Sequence, residues 1–150
     1  MKQVDEIIYD AIQADEALMT ATGGRVVSTC FEVSPDETDN TPLPNIIVTN
    51  DGFQNQDTTK DCVWEGGDDE VQVTVDVAAQ SPNEVKDLIG MVRRAVSRYV
   101  IQMYDNHEQT PELDKLSSDG LQWDWMRPCY YQKLTYNCSI KSTTDDEQET

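Results

Sequence analysis

Residues 70–103 read EVQVTVDVAAQSPNEVKDLIGMVRRAVSRYVIQM. Val71, Val73, Val75 and Val77 alternate with Gln72, Thr74, Asp76 and Ala78, the period-2 pattern of a strand with one buried face. Ser81-Pro82-Asn83-Glu84 then predicts a helix start. Ser81 fits the N-cap, Pro82 the first helical position where its missing N–H costs nothing, and Glu84 completes a capping box. The helix carries Val85, Leu88, Ile89, Val92, Val96, Tyr99, Val100 and Met103 at the spacing of a single face. A strand leading through a short loop into an amphipathic helix is a packing unit. It organises a fold and carries no reagent.

Upstream, residues 2–18 predict a first helix, with Val4, Ile7, Ile8, Ala11, Ile12 and Leu18 on one face and Asp5, Glu6, Asp10 and Glu16 outward. Gly23-Gly24 closes it with positions that tolerate positive φ. Residues 25–33 are strand-like through Val26, Val27 and Phe31, and residues 34–44 form a polar loop. Residues 45–50 give a short apolar strand of the kind buried on both faces. Residues 51–70 hold seven acids against one Lys and predict a long solvated loop or hairpin tip.

Downstream, residues 105–120 predict a polar connection tacked down by Leu113 and Leu116. Leu121, Trp123 and Trp125 alternate with polar neighbours. Leu134, Tyr136, Cys138 and Ile140 alternate with Lys133, Thr135, Asn137 and Ser139 in a strand with one wet face. The expected fold class is α+β: a mostly antiparallel sheet of about five strands with two amphipathic helices packed on one face. The expected organisation is one domain over 1–141 and an acidic disordered tail over 142–150.

A chain of 150 residues can bury roughly 70% of its unfolded surface. Its net charge of −18 repels nucleic acid and anionic membranes at long range, and suits a basic partner or a surface past which nucleic acid slides. The first twelve residues do not read as a secretory signal, and no run approaches the roughly 18 apolar residues of a membrane span. Cys30, Cys62, Cys129 and Cys138 form no CxxC pair, and His107 is the sole histidine, so zinc is not expected. The cysteines read as free, mostly buried thiols.

Candidate chemistry is sparse. His107 lies in a polar connection without a nucleophile motif and reads as a surface residue. Asp57, Asp61, Glu65, Asp68, Asp69 and Glu70 do not follow the ligand order of a calcium loop and read as a solvated acidic stretch. Gly23-Gly24 lacks the Lys-Ser/Thr of a phosphate loop. No catalytic, cofactor-binding or metal-ligating residue is therefore assigned, and no cofactor is expected. Positive charge gathers on the second helix at Lys86, Arg93, Arg94 and Arg98, with Arg94 and Arg98 on one face. This basic face reads either as a solubilising face with intramolecular ion pairs or as a contact to an acidic neighbour such as the acidic stretch of another copy, since unlike-charged surfaces in one chain favour head-to-tail self-association. Trp123 and Trp125 share a face and read as core or subunit-interface anchors. Few basic residues interleave with these aromatics, which argues against specific nucleic-acid binding.

This order of elements resembles the tail-terminator and tail-completion (minor tail, head-to-tail joining) proteins of tailed bacteriophages and prophages. The resemblance rests on Ala14-Asp15-Glu16-Ala17-Leu18, Gly23-Gly24-Arg25-Val26, Pro42-Leu43-Pro44 opening the strand Ile46-Ile47-Val48, the Val71–Val77 strand, the Ser81-Pro82-Asn83-Glu84 helix start and the late Trp-containing strands. It spans most of residues 1–141. The stretch between Ile47 and Val71, and residues 105–120, depart from the compact pattern.

The resemblance implies a non-enzymatic structural protein of the virion tail, assembled in the bacterial host cytoplasm. Such proteins form a ring, commonly of six subunits, that caps the tail tube and receives the head connector, with DNA passing through the lumen and no membrane partner. Two rivals make different expectations. An acidic inhibitor module would be a stable monomer binding a basic protein in a salt-sensitive 1:1 complex. A metal-dependent hydrolase built on the 57–70 carboxylates would be stabilised by divalent ions.

Overall fold

A computed structural model describes residues 3–28, 43–56, 68–126 and 128–141. Its elements are α1 (Val4–Ala14), α2 (Glu16–Thr22), β1 (Val26–Ser28), β2 (Asn45–Gln56), β3 (Asp68–Ala79), α3 (Pro82–Asp105), β4 (Glu112–Ser118), β5 (Gln122–Asp124) and β6 (Cys129–Lys141). The strands form one sheet in the order β1-β2-β3-β6-β4, and β5 pairs with the start of β6. β1 runs parallel to β2 and every other pairing is antiparallel. The fold is α+β.

The 70–103 stretch forms as its pattern dictates. Val73, Val75 and Val77 of β3 are fully buried, and they face Val85, Leu88 and Val92 of α3. Ser81 Oγ accepts the Glu84 N–H at 3.2 Å with Pro82 at the first helical position, so the predicted cap is in place. The same core takes in Val4, Ile8, Ile12 and Leu18 from the N-terminal helices, Ile46 and Val48 from β2, and Leu134 and Tyr136 from β6. Helices α1 and α3 pack on one side of the sheet and on each other. The other face is polar.

Five expectations need correction. The first helix does not run unbroken through residue 18. Asp15 is extended (φ −89°, ψ 108°) and its Oδ1 accepts the Leu18 N–H at 2.9 Å, capping a separate α2. The break lets Leu18 and Thr22 turn into the core, and Thr22 Oγ1 donates to the Leu18 carbonyl. Gly23 and Gly24, both at positive φ, end α2 as expected.

Second, residues 51–70 are not wholly loop. β2 continues to Gln56 and β3 begins at Asp68, paired residue for residue. A bulge between Asn50 and Gly52 shifts the register, with Gly52 at φ 120° and its N–H bonded to Asn50 Oδ1. Third, residues 105–120 contain β4, an edge strand whose own irregularity between Leu113 and Lys115 breaks the alternation. Fourth, β2 is not buried on both faces, because Ile47 is half-buried on the polar side. Fifth, Trp123 and Trp125 are not core residues. Of the thiols, Cys129 and Cys138 are buried and form no disulfide among the described residues; Cys30 and Cys62, most of the 34–44 loop, the rest of the strand expected beyond Ser28 and the 142–150 tail lie outside the described residues.

Candidate assembly surfaces

Three surfaces stand out, and none has the make-up of a catalytic centre. The first is a groove of about 680 Å³ where α1 and the middle of α3 pass over β4 and the end of β6. Its walls are apolar: Ile7 and Ile8 from α1, Val100 and Ile101 from α3, Leu113 and Leu116 from β4. Arg93, Arg94 and Arg98 also line it and are exposed. Among the described residues these three guanidinium groups form no ion pair. The second-helix arginines singled out in the sequence thus come together, and they do so beside an apolar trough.

Tyr136 and Cys138 also line the groove, and both are buried. Among the described residues the Tyr136 hydroxyl has no hydrogen-bond partner. Burial pushes its phenol up to about 12, against the pull of the nearby Arg93 charge. Burial, reinforced by the Asp114 carboxylate, pushes the Cys138 thiol up to about 11. A thiol so held is protonated at neutral pH and a poor nucleophile.

The second surface is the turn after β5. Trp125 is 84% exposed and Met126 91%, with Leu121 and Trp123 partly exposed beside them. The protrusion is pre-shaped. Asp124 Oδ1 accepts the Met126 N–H at 2.9 Å, and Trp123 stands edge-on to both Trp125 (5.9 Å between centroids) and Tyr130 (4.7 Å). Strand parity does place Trp123 and Trp125 together, but past the end of the helical layer, where nothing described covers them.

The third is the open face of the sheet. Thr49, Thr74, Thr135 and Ser117 stand in one register row across β2, β3, β6 and β4. In the row beside it Ile47, Asp76 and Lys133 are aligned. Thr74 donates to Asp51 and Ser139 to Asp114, so acidic side chains are tied across the strands. The face is hydroxylated and on balance acidic.

The remaining candidates do not converge. His107 is exposed and holds a left-handed conformation (φ 61°) at the end of α3. Its N–H bonds the Tyr104 carbonyl and the Glu108 N–H the Met103 carbonyl, so it occupies the C′ position of a Schellman motif. Asp57, Asp61 and Glu65 lie outside the described residues, and Asp69 and Glu70 sit on β3. Among the described residues, no three His, Cys, Asp or Glu side chains are grouped to hold a metal ion. No described helix is long and apolar enough to cross a membrane.

No protein-family model matches the chain, and no curated protein matches it. Solved structures do. One is a chain of a structure titled "Virion of native gene transfer agent (GTA) particle", with a TM-score of 0.51 and 14% sequence identity over 93% of this chain and 95% of that one. The likeness runs nearly end to end in both chains and is one of fold.

Proposed function

We propose that the chain is a non-enzymatic structural component of a phage-like virion tail, and within that class a tail-terminator or tail-completion protein. The carrying observation is the fold it shares, over nearly the whole length of both chains, with a chain of a gene transfer agent virion. The order of elements that resembles tail-terminator proteins supports the same reading. So does the distribution of apolar surface: an apolar groove, and a turn that exposes Trp125 and Met126 side by side.

In this reading copies form a ring, of six in the commonest arrangement, that seats on the tail tube and receives the head connector in the host cytoplasm. The hydroxylated, acidic sheet face suits a lumen, since phosphates are repelled and find no stacking platform. The test is solution mass across a concentration series together with negative-stain imaging of the chain added to uncapped tail tubes. Rings with a central hole, and density at tube ends, are the expected result. A chain that does not engage tube ends at any concentration overturns the proposal.

A further inference from the structure

The groove and the aromatic turn belong to opposite ends of the same strand. β6 leaves the turn at Cys129–Tyr131, where it pairs with β5, and reaches the groove at Tyr136 and Cys138. Six residues of extended chain separate Tyr130 from Tyr136, roughly 20 Å. A rigid turn cannot reach the groove of its own chain across that span. A second copy can supply it.

We infer that the aromatic turn of one copy, residues 119–126, docks in the arginine-lined groove of the next. The inference deepens the ring reading and rests on it for self-association alone. Three features of the molecule select this occupant. The first is charge: Arg93, Arg94 and Arg98 carry no ion pair among the described residues of a chain with net charge −18, and residues 119–126 carry acidic side chains and no basic one.

The second is chemistry. Trp125 and Met126 present bare apolar surface to an apolar trough, and an indole face beside guanidinium groups gains a cation–π contact. The third is preorganisation. The Asp124–Met126 hydrogen bond and the Trp123–Trp125–Tyr130 ring contacts hold the turn in one shape, so little ordering cost falls on docking. Unlike surfaces at opposite ends of the protomer make a head-to-tail contact, which closes into a ring when the rotation per step allows.

The test uses the whole chain and two surface variants, each checked for an unchanged melting temperature. Trp125→Ala with Met126→Ser removes the plug; Arg94→Glu with Arg98→Glu reverses the groove's charge. Each alone weakens self-association on the order of thirtyfold or more, the loss expected for an interface anchor. Mixed in equal amounts, the two restore a heterodimer and nothing larger, because one intact plug and one intact groove survive. A photo-crosslinking phenylalanine at position 125 labels α3 or β4 of a neighbouring copy.

Assemblies whose mass is unchanged by the turn variants refute this pairing and leave the tail-component reading standing. So does dissociation by neutralising Asp57, Asp61 and Glu65 instead, which makes the acidic stretch the occupant. A wild-type chain that stays monomeric at millimolar concentration and gives no crosslink from position 125 also refutes the pairing. Failure to engage tube ends, with the crosslink present, refutes the tail reading and leaves the pairing.

Discussion

On the side of the sheet turned toward the helices, Val73, Val75 and Val77 are sealed from water, whereas Gln72, Thr74 and Asp76 between them face the opposite, polar side. The two sets share one strand and the same backbone hydrogen bonds. They differ in what a change of side chain meets. On the helix side a change disturbs a close-packed layer; on the other it meets water and a few cross-strand partners. Stability therefore resides in one face, and the other is free to be set by what the protein must contact.

The strongest test of that contrast is Leu88→Ala, which removes a buried α3 side chain over β3. A loss of about 2–5 kcal/mol is expected, read as a lower urea midpoint at unchanged slope. A near-isosteric exchange on adjacent residues sharpens it. Val75→Thr buries a hydroxyl and costs about 1–3 kcal/mol, while Thr74→Val stays within about 0.5 kcal/mol despite losing its bond to Asp51. Equal costs for the two would break the comparison.

Asp15→Ala, by uncapping α2, is expected to cost about 1 kcal/mol, with Asp15→Asn retaining most of the stability. Tyr136→Phe has the opposite sign. It removes a buried hydroxyl without a partner and raises stability by up to about 1 kcal/mol. It also changes the alkaline limb. The native phenol holds its proton up to about 12, against 10.0 ordinarily. Between those values the unfolded chain has lost a proton that the native chain keeps, so stability falls as pH rises through that window. Cys138 acts with the same sign between 9.0 and about 11. Urea melts on either side of the phenol window should show a shallower loss in Tyr136→Phe than in wild type. The smallest effect is that of His107→Gly, a gain of about 0.5 kcal/mol from relieving a left-handed residue, seen as a slightly higher melting temperature.

What could be read from the sequence follows where local signals agreed with burial. The β3–α3 unit was legible because valine alternation, the Ser81 cap and the 3.6-residue apolar spacing all point the same way. The extension of β2 past Asn50 was not, since a bulge at Asp51 resets the alternation and Phe53 is the one large apolar residue beyond it. The irregularity at Asp114 hid β4 in the same manner. Asp15 was open to recognition as a cap; the apolar periodicity running through it masked the signal. Arg94 and Arg98 could be seen as a pair, but not the groove they line. It brings Ile7, Ile101, Leu113 and Tyr136 together from positions spread along most of the chain. Trp123 and Trp125 were correctly placed on a shared face. Their exposure depends on where the helical layer stops, which no local pattern records.

The outer edge of β6 is occupied by β4, and β4 has its own edge turned outward. That edge is irregular between Leu113 and Lys115, and Glu112, Asp114 and Lys115 are all exposed along it. A kinked, charged border offers an incoming strand no continuous ladder of hydrogen bonds. When two copies of the chain meet, such a border steers them away from sheet-to-sheet fusion and toward contacts made by side chains, which can be released and re-formed. Straightening that border, by deleting Asp114 and replacing Lys115 with Val, should make the chain prone to form fibres.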